Sequence, residues 1–226
     1  MSPSLINDET KRDAEVGRKQ DCRITLERIS KGDLLLRLAS KSHYSEPGGF
    51  VGRFLGYGVW CGSEYIGVIV AGSATMHLVG RNDYFGVTPA DLNRIINNTL
   101  FHVERPWGVP PFRYGVTGFG ISIEERRRPY PVRNITNLVL SEWRTRAARD
   151  WEETYQDSVI GFETLVQVPR TGEVYRRDGW SLVGETKGFT CRRTGGISQS
   201  EKFDGRRIWT FDPTKRKLVF CRWANS

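Results

Sequence analysis

Apolar and polar residues alternate over 22–29 (CRITLERI), which predicts a half-buried strand. Ser30 with Asp33 three residues on then reads as a helix start, with Leu34, Leu35, Leu36 and Leu38 as its apolar face. Two apolar, β-branched runs, Arg53–Trp60 and Glu64–Ala71, flank Cys61-Gly62-Ser63 and predict a hairpin. The stretch 76–86 (MHLVGRNDYFG), which carries Arg81, Asp83 and Tyr84, reads as a loop. Thr88-Pro89-Ala90-Asp91 predicts one helical turn ahead of a buried strand at Arg94–Val103. Asparagine is disfavoured inside strands, so the pair Asn97-Asn98 marks a bulge or a ligand contact.

Residues 104–133 hold five prolines and four glycines and predict a surface insert or lid ending in Arg126-Arg127-Arg128. One long helix follows, from about Asn134 to Tyr155. Its stripe is Ile135, Leu138, Val139, Trp143, Ala147, Trp151 and Tyr155 at three- and four-residue spacing. Strand-like runs recur at Val159–Val168 and Trp180–Glu185. Residues 189–205 read as a loop, and Arg207–Phe211 with Lys217–Trp223 as a basic C-terminal hairpin turning at Asp212-Pro213-Thr214.

Taken together, antiparallel strands precede a strand–helix–strand unit whose two strands must run parallel if they share a sheet. The expected fold is α+β with a mixed, mostly antiparallel sheet. Residues 1–20, charged and nearly free of apolar positions, read as an arm, and 21–226 as a single domain.

Composition narrows the partners. The formal net charge is +8 with 34 Lys and Arg against 26 Asp and Glu, so a nucleic acid leads the candidate partners. No run approaches a membrane span. Cys22, Cys61, Cys191 and Cys221 form no CxxC pair, so they are expected as thiols in a reducing cytoplasm.

Glu163 on an apolar strand and Tyr175 after the next turn are candidate proton-transfer groups that could face one cleft. An unpaired carboxylate in a core is costly, so Glu163 either pairs with an arginine or works. Tyr44, in a Gly-rich loop beside His43, is a third candidate, with His43 a possible metal ligand. Arg126, Arg127, Arg128 and Arg133, ahead of the long helix, suit phosphate. Lys187, Arg192 and Arg193 are further candidate nucleic-acid contacts.

Several short motifs fall in one order along two-thirds of the chain: HY at 43–44, GSA at 72–74, INNT at 96–99 with RPWGVP after it, and FET, Tyr175, GW and VGETKG between 162 and 188. In this the sequence resembles the GNAT-like (N-acetyltransferase-like) family that includes the phage Mu Mom DNA-modification protein and the Druantia-type anti-phage domain. The resemblance implies a phage-encoded transferase placing an acyl or aminoacyl-type group on an exocyclic amine of a DNA base, adenine favoured, to protect DNA from restriction. It implies catalytic roles for Tyr44, Glu163 and Tyr175. Ser73, Asn97, Asn98 and Arg133 would hold the donor. The Arg/Gln-x-x-Gly-x-Gly/Ala pyrophosphate signature of acetyltransferases is absent, which leaves the donor open between acyl-CoA and aminoacyl-tRNA. The alternative is a non-catalytic nucleic-acid-binding component of an anti-phage or mobile-element system.

Overall fold

A computed structural model describes residues 23–34, 50, 52–104, 134–193 and 207–226. His43, Tyr44, the arm, the insert at 105–133 and Arg126, Arg127, Arg128 and Arg133 lie outside the described residues.

Seven strands form one mixed sheet: β1 (Ile24–Ile29), β2 (Phe54–Cys61), β3 (Glu64–Ser73), β4 (Ile95–Val103), β5 (Gly161–Gln167), β6 (Ser181–Glu185) and a late strand, Lys217–Trp223. β1 to β4 are successive antiparallel neighbours. β5 joins β4 in parallel, and the late strand inserts between β5 and β6. This is the mixed, mostly antiparallel α+β architecture expected, with its single parallel pair where the strand–helix–strand unit placed it.

The C-terminal hairpin is corrected. Arg207–Phe211 (β8) pairs instead with β7 (Phe189–Arg193), inside the stretch read as a loop, in a separate two-stranded sheet. Lys217–Trp223, now β9, belongs to the main sheet. Asp212 caps the 3-10 turn Pro213–Lys215, accepting from the Thr214 N–H, and this turn redirects the chain between the sheets.

The segment 76–86 is also corrected, because α1 spans Val79–Phe85 there. Leu78 lacks a capping side chain, so the usual start signal is missing. The end is marked by Gly86, left-handed at φ 61°, whose N–H reaches the Asn82 and Asp83 carbonyls.

The long helix, α2 (Ile135–Tyr155), buries Ile135, Val139, Trp143, Ala147 and Trp151 against β2, β4 and β5. Leu138 is half outside that stripe, at 44% exposed. Opposite α2, the sheet buries Ile95, Val219 and Cys221 under Leu78 and Phe85 around α1. Cys221 is a free buried thiol, but Cys61 is disulfide-bonded, which corrects the all-thiol expectation. No helix among the described residues is long and apolar enough to cross a membrane.

Candidate functional site

The parallel pairing of β4 with β5 stops after three rungs, the last being Asn97 opposite Glu163. Beyond it β4 continues to Val103 on β3, and β5 continues to Gln167 on β9. The strands part, leaving a cavity of about 260 Å³ lined by Thr75, Asn97, Asn98, Thr164, Tyr175 and Lys217 among others. Parting strands leave backbone N–H and C=O groups to be matched by something other than the sheet. One of these is met by the Thr164 hydroxyl, which donates to the Asn98 carbonyl at 3.1 Å.

A bulge adjoins the asparagine pair, as its composition suggested. β3 pairs Val70 with Leu100 and then Ala71 with Asn98, so Thr99 is the extra residue. Both amides are buried, Asn97 at 6% and Asn98 at 4%.

Successive strand residues take opposite faces, and this separates the two titratable candidates. On the α2 face, Phe162 and Val166 pack in the same core as Tyr175. Tyr175 lies on a short helix, α3 (Glu173–Arg177), begun by Gly172 at φ 68°, and its hydroxyl donates to Asn98 Oδ1 at 2.8 Å. Glu163 lies on the α1 face. The two do not share one side of the sheet; Tyr175 lines the gap, and Glu163 sits behind its last rung, engaged with Arg81.

Glu163 is fully buried and ion-paired with Arg81 of α1, also fully buried. Its other oxygen accepts from the Thr75 backbone N–H at 2.6 Å. A second Arg81 nitrogen donates to the Thr75 carbonyl at 2.8 Å. Burial pushes the Glu163 carboxyl upward, opposed by Arg81 and by the Thr75 backbone N–H. Both Glu163 oxygens are engaged and neither is exposed. Of the two expectations for Glu163, the structure shows the arginine pair, and the partner is Arg81 of α1.

Arg81 and Thr75 are the residues that sequence reasoning missed. Leu78 and Phe85, two turns apart with polar residues between, followed by Gly86, are the signal that a helix carries Arg81 inward.

The other predicted residues are scattered. The Ser73 hydroxyl accepts the Arg53 backbone N–H at 2.9 Å and is not among the residues lining the gap. Lys187 is exposed after β6, and Arg192 and Arg193 lie on β7. Lys217 lines the gap, and the exposed Arg176 adjoins Tyr175. Among the described residues no group of three His, Cys, Asp or Glu is placed to hold a metal.

No protein-family model matches the chain, and no curated protein sequence matches it. Several solved structures are similar in the arrangement of their elements. The ribosomal L7/L12 α-N-protein acetyltransferase RimL is 13% identical, covers 89% of this chain and 93% of its own, and has a TM-score of 0.45. Spermidine N-acetyltransferase from Vibrio cholerae, in complex with CoA and spermine, is 11% identical over 89% of this chain and 96% of its own, with a TM-score of 0.42. Ard1 from Thermoplasma volcanium is 11% identical over 88% of this chain and 97% of its own, with a TM-score of 0.40. At these values the likeness carries no activity and no residue's role to this chain.

Proposed function

We propose that this chain is an N-acyltransferase whose donor, an acyl-CoA, lies in the gap between β4 and β5. The observation that supports this reading is the gap itself. It is a slot through the sheet, bordered by a bulge, with a buried phenol at its wall and a lysine among its lining residues. A slender arm bearing amides suits parted strands because it can pair with the backbone groups they no longer offer each other. Lys217 and the exposed Arg176 suit phosphates in the same way. Aminoacyl-tRNA is the less suited donor, since its bulk must stay outside such a slot.

In this reading the acceptor's neutral amine attacks the thioester carbonyl. The C–S bond breaks as the C–N bond forms, and the Tyr175 hydroxyl, turning from Asn98 Oδ1, gives its proton to the departing thiolate. The proton lost by the amine passes to water, and Tyr175 is reprotonated from solvent. The acceptor we propose is an exocyclic amine of a DNA base, adenine favoured. The net charge of +8 supports a polyanionic partner. A base amine inside a duplex is shielded, so the base must be flipped out or presented single-stranded.

Mass spectrometry of nucleosides from cells expressing the chain tests the reading. An acylated nucleoside that disappears in Tyr175→Phe is expected. An unmodified profile from DNA that the protein demonstrably binds would leave a nucleic-acid-binding component without chemistry.

A further inference from the structure

Asn98 ties together three elements around the gap. Its Nδ2 donates to the Val70 carbonyl of β3 at a long 3.5 Å, and its Oδ1 accepts from the Tyr175 hydroxyl of α3 at 2.8 Å. Its backbone carbonyl accepts from the Thr164 hydroxyl of β5 at 3.1 Å. The bulge lies at the first of these contacts, because the register shift falls between Val70 and Ala71.

The partners dictate which way round the buried amide lies. A backbone carbonyl only accepts, so Nδ2 must face Val70, and Oδ1 is left for the phenol. An amide oxygen also only accepts, so the Tyr175 hydroxyl must donate. That bond exists only while the phenol keeps its proton, the form in which a general acid waits. The ring itself is packed by Trp180 and Phe220, and both Tyr175 and Asn98 line the gap.

We propose that Asn98 is a positioning residue for Tyr175. The bulge and Val70 fix its amide, and the amide holds the phenol protonated at the wall of the gap until a departing thiolate takes the proton. This rests on the acyl-transfer reading above. It gives Asn98 a task other than holding the donor, because Oδ1 and Nδ2 each have a partner within the protein. With the ring already packed, proton transfer asks only that the hydroxyl turn about its C–O bond. When solvent restores the proton, Asn98 Oδ1 accepts it again.

A kinetic double-mutant cycle on the full chain tests this, with acetyl-CoA as donor, an adenine-bearing single-stranded oligonucleotide as acceptor, and release of the coenzyme A thiol as the signal. Asn98→Leu roughly keeps the volume and removes the hydrogen bonds, and Asn98→Ala empties the position. Each is expected to lower kcat about 10–100-fold in the native background, and by less than about twofold in the Tyr175→Phe background, where there is no proton left to hold. Coenzyme A affinity by calorimetry is expected to stay within about twofold of native in both variants. Equal losses of kcat in the two backgrounds would overturn the positioning role and leave the acyl-transfer reading intact. Weaker coenzyme A binding at unchanged kcat would also overturn it, and would make Asn98 a donor contact. No thiol release by the native chain would overturn the acyl-transfer reading, and the role of Asn98 with it.

Discussion

Asn97 and Glu163 face one another on the last rung that joins β4 to β5, and Thr75 touches both. The rung is therefore the end of the parallel pairing and the start of the gap. It is closed on one side by an ion pair with no exposure to solvent.

Removing one member of that pair leaves a lone charge in the core. Arg81→Leu is expected to cost about 3–5 kcal/mol, read as a lower denaturant midpoint at unchanged slope. The double variant Arg81→Leu/Glu163→Leu should recover much of this, because two apolar side chains replace two desolvated charges. A double variant no better than the worse single would show that the pair is not acting as a buried ion pair.

Tyr175→Phe separates proton donation from packing. The phenol packs between Trp180 and Phe220, and phenylalanine keeps those contacts. Loss of the hydrogen bond to Asn98 should cost about 1–3 kcal/mol, while kcat falls about 10²–10⁴-fold with donor binding nearly unchanged. A fall in donor affinity at constant kcat would make Tyr175 a binding residue.

Gly80 is where α1 comes closest to β6. A Cβ there would lie 2.3 Å from the Val183 carbonyl oxygen, so Gly80→Ala must push the helix away. The shift carries Arg81 with it. The expected result is a loss of about 1–3 kcal/mol and weaker coenzyme A binding, measured by thermal melting and calorimetry. Unchanged stability would mean that α1 is not held against β6 by this close approach.

Asp150 on α2 predicts an acid limb to the stability curve. Burial raises its pKa, but Arg146, the Tyr57 hydroxyl and Arg28 outweigh that and hold the carboxyl below the usual carboxylate range. Its folded pKa is lower than its unfolded one, so its contribution is complete above the unfolded carboxylate pKa. That contribution is lost as pH falls through the depressed folded value. Asp150→Asn should flatten this limb in urea titrations between neutral pH and acid. An unchanged limb would exclude Asp150 as its source.

Much of this layout is legible in the sequence because local pattern and tertiary role agree. The apolar stripe of α2, the capping box of Thr88 and Asp91, and the hairpin turn at Gly62-Ser63 each depend on neighbouring residues. The bulge beside Asn98 was legible too, since asparagine fits poorly in a regular ladder. The pairing of the strands beyond residue 188 was not, although two of them stand where the pattern put them. Whether Lys217–Trp223 turns back on β8 or inserts between β5 and β6 depends on partners distant in sequence. The site was half legible. Glu163 declared itself as a carboxylate in an apolar strand, but its partner sits 82 residues earlier on a helix without a start signal. The face on which each candidate lies also depends on where pairing begins, because a shift of one residue reverses it.

The most direct test of the central claim, that an acyl donor lies between the parted strands, is hydrogen exchange at backbone amides with and without coenzyme A. Slower exchange concentrated in 97–101 of β4 and 164–167 of β5, with β1 and β2 unchanged, is the result this account predicts. Binding of coenzyme A with protection elsewhere and none along these two strands would contradict it.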